Sequence, residues 1–103
     1  MAILNTAIGT GNAANIYASS GSSAITTIHL CNYTASSVYT NLYLVTSGGT
    51  AGNSNIIYSN VSITAYNTLI VFAEKFILAD GDTVKANCSA DNTITATVSS
   101  IGI

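Results

Sequence analysis

Ala79-Asp80-Gly81-Asp82-Thr83-Val84-Lys85-Ala86-Asn87-Cys88-Ser89-Ala90-Asp91-Asn92-Thr93-Ile94-Thr95-Ala96-Thr97-Val98-Ser99 carries the clearest structural signal in the chain. Val84, Ala86 and Cys88 alternate with Lys85, Asn87 and Ser89. Ile94, Ala96 and Val98 alternate in the same way with Thr93, Thr95, Thr97 and Ser99. An apolar–polar period of two places the two sets on opposite faces of a β-strand. Asp80-Gly81 readily supplies the positive φ of a tight turn, and Ser89–Asn92 reads as a second turn. The stretch therefore predicts a C-terminal β-hairpin.

The same grammar extends towards the N-terminus. Thr26, Ile28 and Leu30 fall opposite Thr27, His29 and Cys31, and Val38, Leu42 and Leu44 fall opposite Tyr39, Asn41 and Tyr43. Asn32–Ser37 reads as a hairpin connection between these runs. Ser47–Ser54 is a loop, because Gly48, Gly49 and Gly52 weaken any strand there. Further strands are expected at Ile56–Tyr58, Val61–Thr64 and Thr68–Ala73, with Phe76-Ile77-Leu78 leading into the Asp-Gly turn and Ile101 and Ile103 closing the chain. There is no helical periodicity of useful length, no internal repeat and no linker. About eight short strands with turns roughly every ten residues predict a single antiparallel β-sandwich, jelly-roll or immunoglobulin-like, over residues 1–103. Residues 1–12, with Gly9-Thr10-Gly11-Asn12, are expected to form an edge strand or an arm that reaches a neighbour.

Composition narrows the function. Of 103 residues, 49% are hydrophobic and 6% are charged, against about 25% charged in an ordinary soluble domain. Lys75 and Lys85 face Glu74, Asp80, Asp82 and Asp91, for a net charge of −2. Ser, Thr and Asn must then keep the surface wet, and they supply little long-range repulsion against self-association. Proline is absent, so no sequence breaker blocks strand-edge pairing, and Lys85 alone offers an inward or edge charge on a late strand. Both features suit surfaces meant to be covered by neighbours. Two scattered lysines cannot neutralise a phosphate backbone, which excludes a nucleic-acid partner. The longest strongly apolar run, Leu69–Ala73, is far below the roughly 20 residues of a membrane-spanning helix, so no membrane association is expected. Met1-Ala2-Ile3-Leu4-Asn5 lacks the basic and long apolar regions of a secretory signal, and a cytoplasmic origin is expected.

The search for chemistry ends without a catalytic set. His29 is the single histidine. It sits inside a strand pattern, and no strand–turn–helix elbow frames a serine nucleophile. One histidine and two distant cysteines lack the close ligand pairs of a zinc site. Asp80-Gly81-Asp82 has no twelve-residue calcium loop around it, so turn chemistry accounts for both carboxylates and no metal or cofactor is expected. Cys31 and Cys88 could bridge two sheets in immunoglobulin fashion. With no tryptophan, and Ala86 where a tyrosine corner would stand, two reduced and largely buried thiols are the better reading. Asn-x-Ser/Thr triplets at Asn32, Asn60 and Asn87 are expected by chance in a chain this rich in those residues. Six tyrosines are more informative, since a large apolar body with a polar tip suits protein interfaces, sugar stacking and half-buried strand faces alike.

Nearly the whole chain resembles the small virion proteins of tailed phages. The resemblance rests on Ala2-Ile3-Leu4-Asn5 with Ile8-Gly9-Thr10, Thr26-Thr27-Ile28-His29-Leu30-Cys31-Asn32, Asn41-Leu42-Tyr43-Leu44-Val45 and Ile56-Ile57-Tyr58-Ser59-Asn60-Val61-Ser62-Ile63. It continues through Leu78-Ala79-Asp80-Gly81-Asp82-Thr83-Val84-Lys85-Ala86 to Val98-Ser99-Ser100-Ile101. Asp80 departs from the glycine such proteins more often carry there, without changing the turn. The resemblance implies a structural virion protein with no catalytic residue. Its first form is a capsid decoration (cement) protein, a homo-oligomer and preferentially a trimer, bound to the major capsid protein. A neck, tail or fibre-anchoring protein is the second form. A glycan-binding adhesion module and, last, a small hydrolase are readings of a different kind. Ala2, Ile3, Leu4, Ile8, Tyr39 and Tyr43 are the expected contact residues.

Overall fold

The computed structural model describes residues 2–71 and 76–102. Their described strands are β1 (Ala2–Ile8), β2 (Ala14–Ala18), β3 (Ser23–Asn32), β4 (Val38–Val45), β5 (Ile56–Ile63), β6 (Thr68–Val71), β7 (Phe76–Leu78), β8 (Thr83–Cys88) and β9 (Ile94–Gly102). Residues 72 and 73 of the strand expected at 68–73, and the expected closing residue 103, lie outside the described residues.

The strands form two antiparallel sheets. The first runs β1-β9-β3-β6, with β7 on the same side of β3 as β6, and the second runs β2-β8-β4-β5. With β6 and β7 taken as two pieces of one edge, the pairing is nested. The first strand pairs the last (β1 with β9), then β2 pairs β8, β3 pairs β6, and β4 pairs β5. A long hairpin rolled up in this way is a jelly roll, and the immunoglobulin-like alternative is set aside.

The alternation in sequence places the core. Ile94, Ala96 and Val98 from β9 bury with Val84, Ala86 and Cys88 from β8, Val38 and Leu42 from β4, and Ile25, Ile28 and Leu30 from β3. Each fully buried Ile, Leu or Val contributes about 1.5–3 kcal/mol by leaving water. Thr40 is buried in the same layer, with its hydroxyl donated to the Asn87 carbonyl at 3.0 Å.

Several local expectations change. The C-terminal hairpin does not form, because β8 belongs to the second sheet and β9 to the first. Asn32–Ser37 is likewise a crossover from β3 to β4 in the other sheet. The Asp-Gly turn is real, with Asp82 N donating to Ala79 O at 3.1 Å, but it also passes between sheets. Thr26 leaves the core face because a bulge between Ile25 and Thr27 resets the alternation of β3. The two strands expected at 56–58 and 61–64 are one strand, β5, which carries register shifts and a positive φ at Asn60. Lys85 occupies a central strand, between β2 and β4, and guards no edge.

Candidate interaction surface

Among the described residues the charged side chains are Asp80, Asp82, Lys85 and Asp91, and the aspartates give little to a partner because they hold loops together. At one end of the sandwich Asp91 Oδ1 accepts from the Thr10 amide at 2.8 Å, joining the loop before β2 to the loop before β9. At the other end Asp80 Oδ1 accepts from Gly21 N at 2.9 Å. Asp82 accepts from Ser47 N on one oxygen and from Ala79 N on the other, both at 3.0 Å. Carboxylates used on backbone amides in this way are structural ties. Lys85 Nζ donates to Asn15 Oδ1 at 2.6 Å, beside a cleft of about 270 Å³ lined by Asn12, Ala13, Thr50 and Ala51.

The outer face of the second sheet is satisfied from within. Asn41 Nδ2 donates to Asn87 Oδ1 at 2.8 Å, Asn87 Nδ2 to Gly11 O at 2.9 Å, and Asn60 N to Asn41 Oδ1 at 2.8 Å. Val45 is buried, and Gly49 of the following loop packs against its side chain. Tyr43 stands opposite Lys85 in register and is half-buried. Tyr39, two positions before Asn41 on that face, is 54% exposed.

The outer face of the first sheet is different. Register aligns Ala7, Thr95, Cys31 and Thr68 in one row, and Asn5, Thr97, His29 and Ile70 in the next. Beyond them come Ile3, Ser99 and Thr27, then Ile101, Ala24 and Ile77. None of these residues is an Asp, Glu, Lys or Arg. Four isoleucines stand out of this hydroxyl-rich surface, with Ile3 72%, Ile77 58%, Ile70 42% and Ile101 37% exposed. Ala24 is covered between Ile101 and Ile77, so the apolar ground is continuous at that end. Apolar-studded surface without a charge among the described residues loses little on desolvation and gains by contact.

The expected contact residues divide on this geometry. Ile3 and Leu4 are exposed on β1, and Ala2 lies at its start, opposite Ser100. Ile8 is 2% exposed and belongs to the core, because it faces inward opposite Ile94, so it is withdrawn as a contact residue. Segment 2–8 is an edge strand in register with β9 and not a free arm. Ile70, Ile77 and Ile101 escaped the sequence reading. Their alternation was visible, but which face of a strand meets solvent depends on which sheet lies behind it. Tyr33 and Tyr66 are exposed in neighbouring loops, where Tyr66 N donates to Thr34 O at 3.0 Å.

No protein-family model, curated protein sequence or solved structure matches this chain.

Proposed function

We propose that the chain is a structural protein of a tailed-phage particle, acting as a capsid decoration (cement) protein that binds major capsid subunits and stabilises the head. The observation that carries this reading is the outer face of the first sheet, which carries no charged side chain among the described residues and where Ile3, Ile70, Ile77 and Ile101 project from rows of Thr and Ser. Sequence resemblance to small virion proteins supports it, and a jelly roll is an architecture that capsid proteins use, though fold alone assigns no function. A lasting attachment needs on the order of 1,000 Å² or more of buried surface, and repetition around a symmetric shell turns modest contacts into durable ones.

The test is a quantitative protein count on purified particles. A copy number on the order of hundreds supports decoration, and about six or twelve moves the protein to a neck or tail ring. Absence from the particle overturns the reading. Within a decorated particle, Ile77→Lys with Ile101→Lys should strip the protein from the shell while leaving its fold intact.

A glycan-binding module is the second reading, favoured by one observation. Exposed Tyr39 pairs in register with Ser62 and exposed Tyr66 precedes Asn67, and Ser62 and Asn67 line a small cleft with Ile63, Thr64, Thr68 and Leu69, so aromatic, hydroxyl and amide groups lie close in the fold. A glycan array without a hit removes it.

A further inference from the structure

A sandwich of two open sheets has edges whose unpaired N–H and C=O groups invite another strand, and stable proteins blunt them. Three of the edges here are blunted. β5 carries two register shifts and a positive φ at Asn60. β2 has five residues and a register shift between Asn15 and Tyr17. The edge made by β6 and β7 changes register along β3, since Val71 meets Ile28 while Phe76 meets Ile25. β1 has no such device. Its seven residues, Ala2-Ile3-Leu4-Asn5-Thr6-Ala7-Ile8, pair β9 one for one without a shift, and they include no charge, proline or glycine.

The sequence of β1 also fits itself. Laid antiparallel against a second copy about Asn5, Ile3 falls opposite Ala7, Leu4 falls opposite Thr6, and Asn5 meets Asn5. Each bulky side chain is matched with a smaller one, the arrangement that cross-strand pairs need to pack without collision. Asn5 Oδ1 accepts from Thr97 Oγ1 at 2.9 Å on the β9 side, and among the described residues its Nδ2 has no acceptor. A facing Asn5 would provide one. The adjoining β9 positions Thr95, Thr97 and Ser99 carry no charge, so two copies meet without repulsion.

We propose that β1 is a homodimer site, at which two copies of this chain join edge to edge, antiparallel about a two-fold axis at Asn5, to continue the first sheet from one molecule into the other. Such a contact uses the same strand twice and therefore closes at two copies. The trimer implied by the phage resemblance would need a different contact. The inference concerns the isolated chain and goes beyond the particle reading, which can fail without it.

The experiment uses the purified full chain, with mass measured by light scattering across a concentration series. Wild type should be a dimer. Asn5→Lys puts two lysines face to face at an exposed position and should weaken the dimer roughly tenfold, and Asn5→Glu should do the same. Mixing the two variants should restore a dimer, a rescue that also shows both are folded. A wild type that stays monomeric, or forms a trimer, overturns the proposal. So does a dimer that Asn5→Lys leaves unchanged, or a mixture of the variants that fails to re-form it.

Discussion

The side-chain amide of fully buried Asn32 donates to the Ile63 carbonyl at 3.1 Å, tying the end of β3 in one sheet to the end of β5 in the other. The same nitrogen reaches Ser36 O at 2.8 Å and Thr64 O at 3.2 Å, while Oδ1 accepts from Thr34 N and Thr34 Oγ1. One residue thus organises two loops that carry the exposed Tyr33 and Tyr66. Its burial also withdraws the Asn32 triplet from any glycosylating enzyme in the folded protein.

Asn32→Ala should therefore lose about 2–4 kcal/mol in urea unfolding, because buried carbonyls would be left without donors. Asn32→Asp should lose more, since it removes the donors and adds a charge to a fully buried site. If both variants unfold within about 0.5 kcal/mol of wild type, Asn32 does not hold that end together.

Gly81 is a second fixed point. Its φ is +87°, and a Cβ there would lie 2.5 Å from Ser47 Oγ. Gly81→Ala should lower stability by about 1–2 kcal/mol, read as a drop in Tm. Adding Ser47→Gly should recover part of the loss, the part owed to collision. Full recovery would mean that the backbone conformation costs nothing.

The thiols should behave as two separate groups. Both are free, Cys31 partly accessible on the outer face of the first sheet and Cys88 buried in the core, 3.1 Å from the Ala90 carbonyl. A layer of the sandwich lies between those positions, so an inter-sheet bond is sterically closed. In native protein a thiol reagent should titrate Cys31 slowly and Cys88 only on unfolding, and reductant should leave Tm unchanged. A reductant-sensitive Tm would contradict this arrangement.

His29 stands in register between Ile70 and Thr97, away from the aspartates, which sit in the loops. His29→Thr keeps β propensity and should change stability by less than about 0.5 kcal/mol. A large loss of stability would show that the imidazole is a structural anchor on this face.

By itself, the sequence determined that the chain is a set of short strands, and it determined most of their faces. Val84/Ala86/Cys88 and Ile94/Ala96/Val98 point inward as their alternation requires, because side-chain direction in a strand is a local property of the backbone. The turn at Asp80-Gly81 was legible for the same reason. Where each strand goes next was decided by tertiary structure alone. A turn signal reports φ and ψ over a few residues, and those angles do not say whether the following strand returns to its own sheet or crosses to the other. That choice depends on covering both apolar faces at once, and it turned an expected hairpin of β8 and β9 into a crossover. The same packing drew Ile8 into the core, made Asp82 a tie to Ser47 across 35 positions, and left Ile70, Ile77 and Ile101 facing outward.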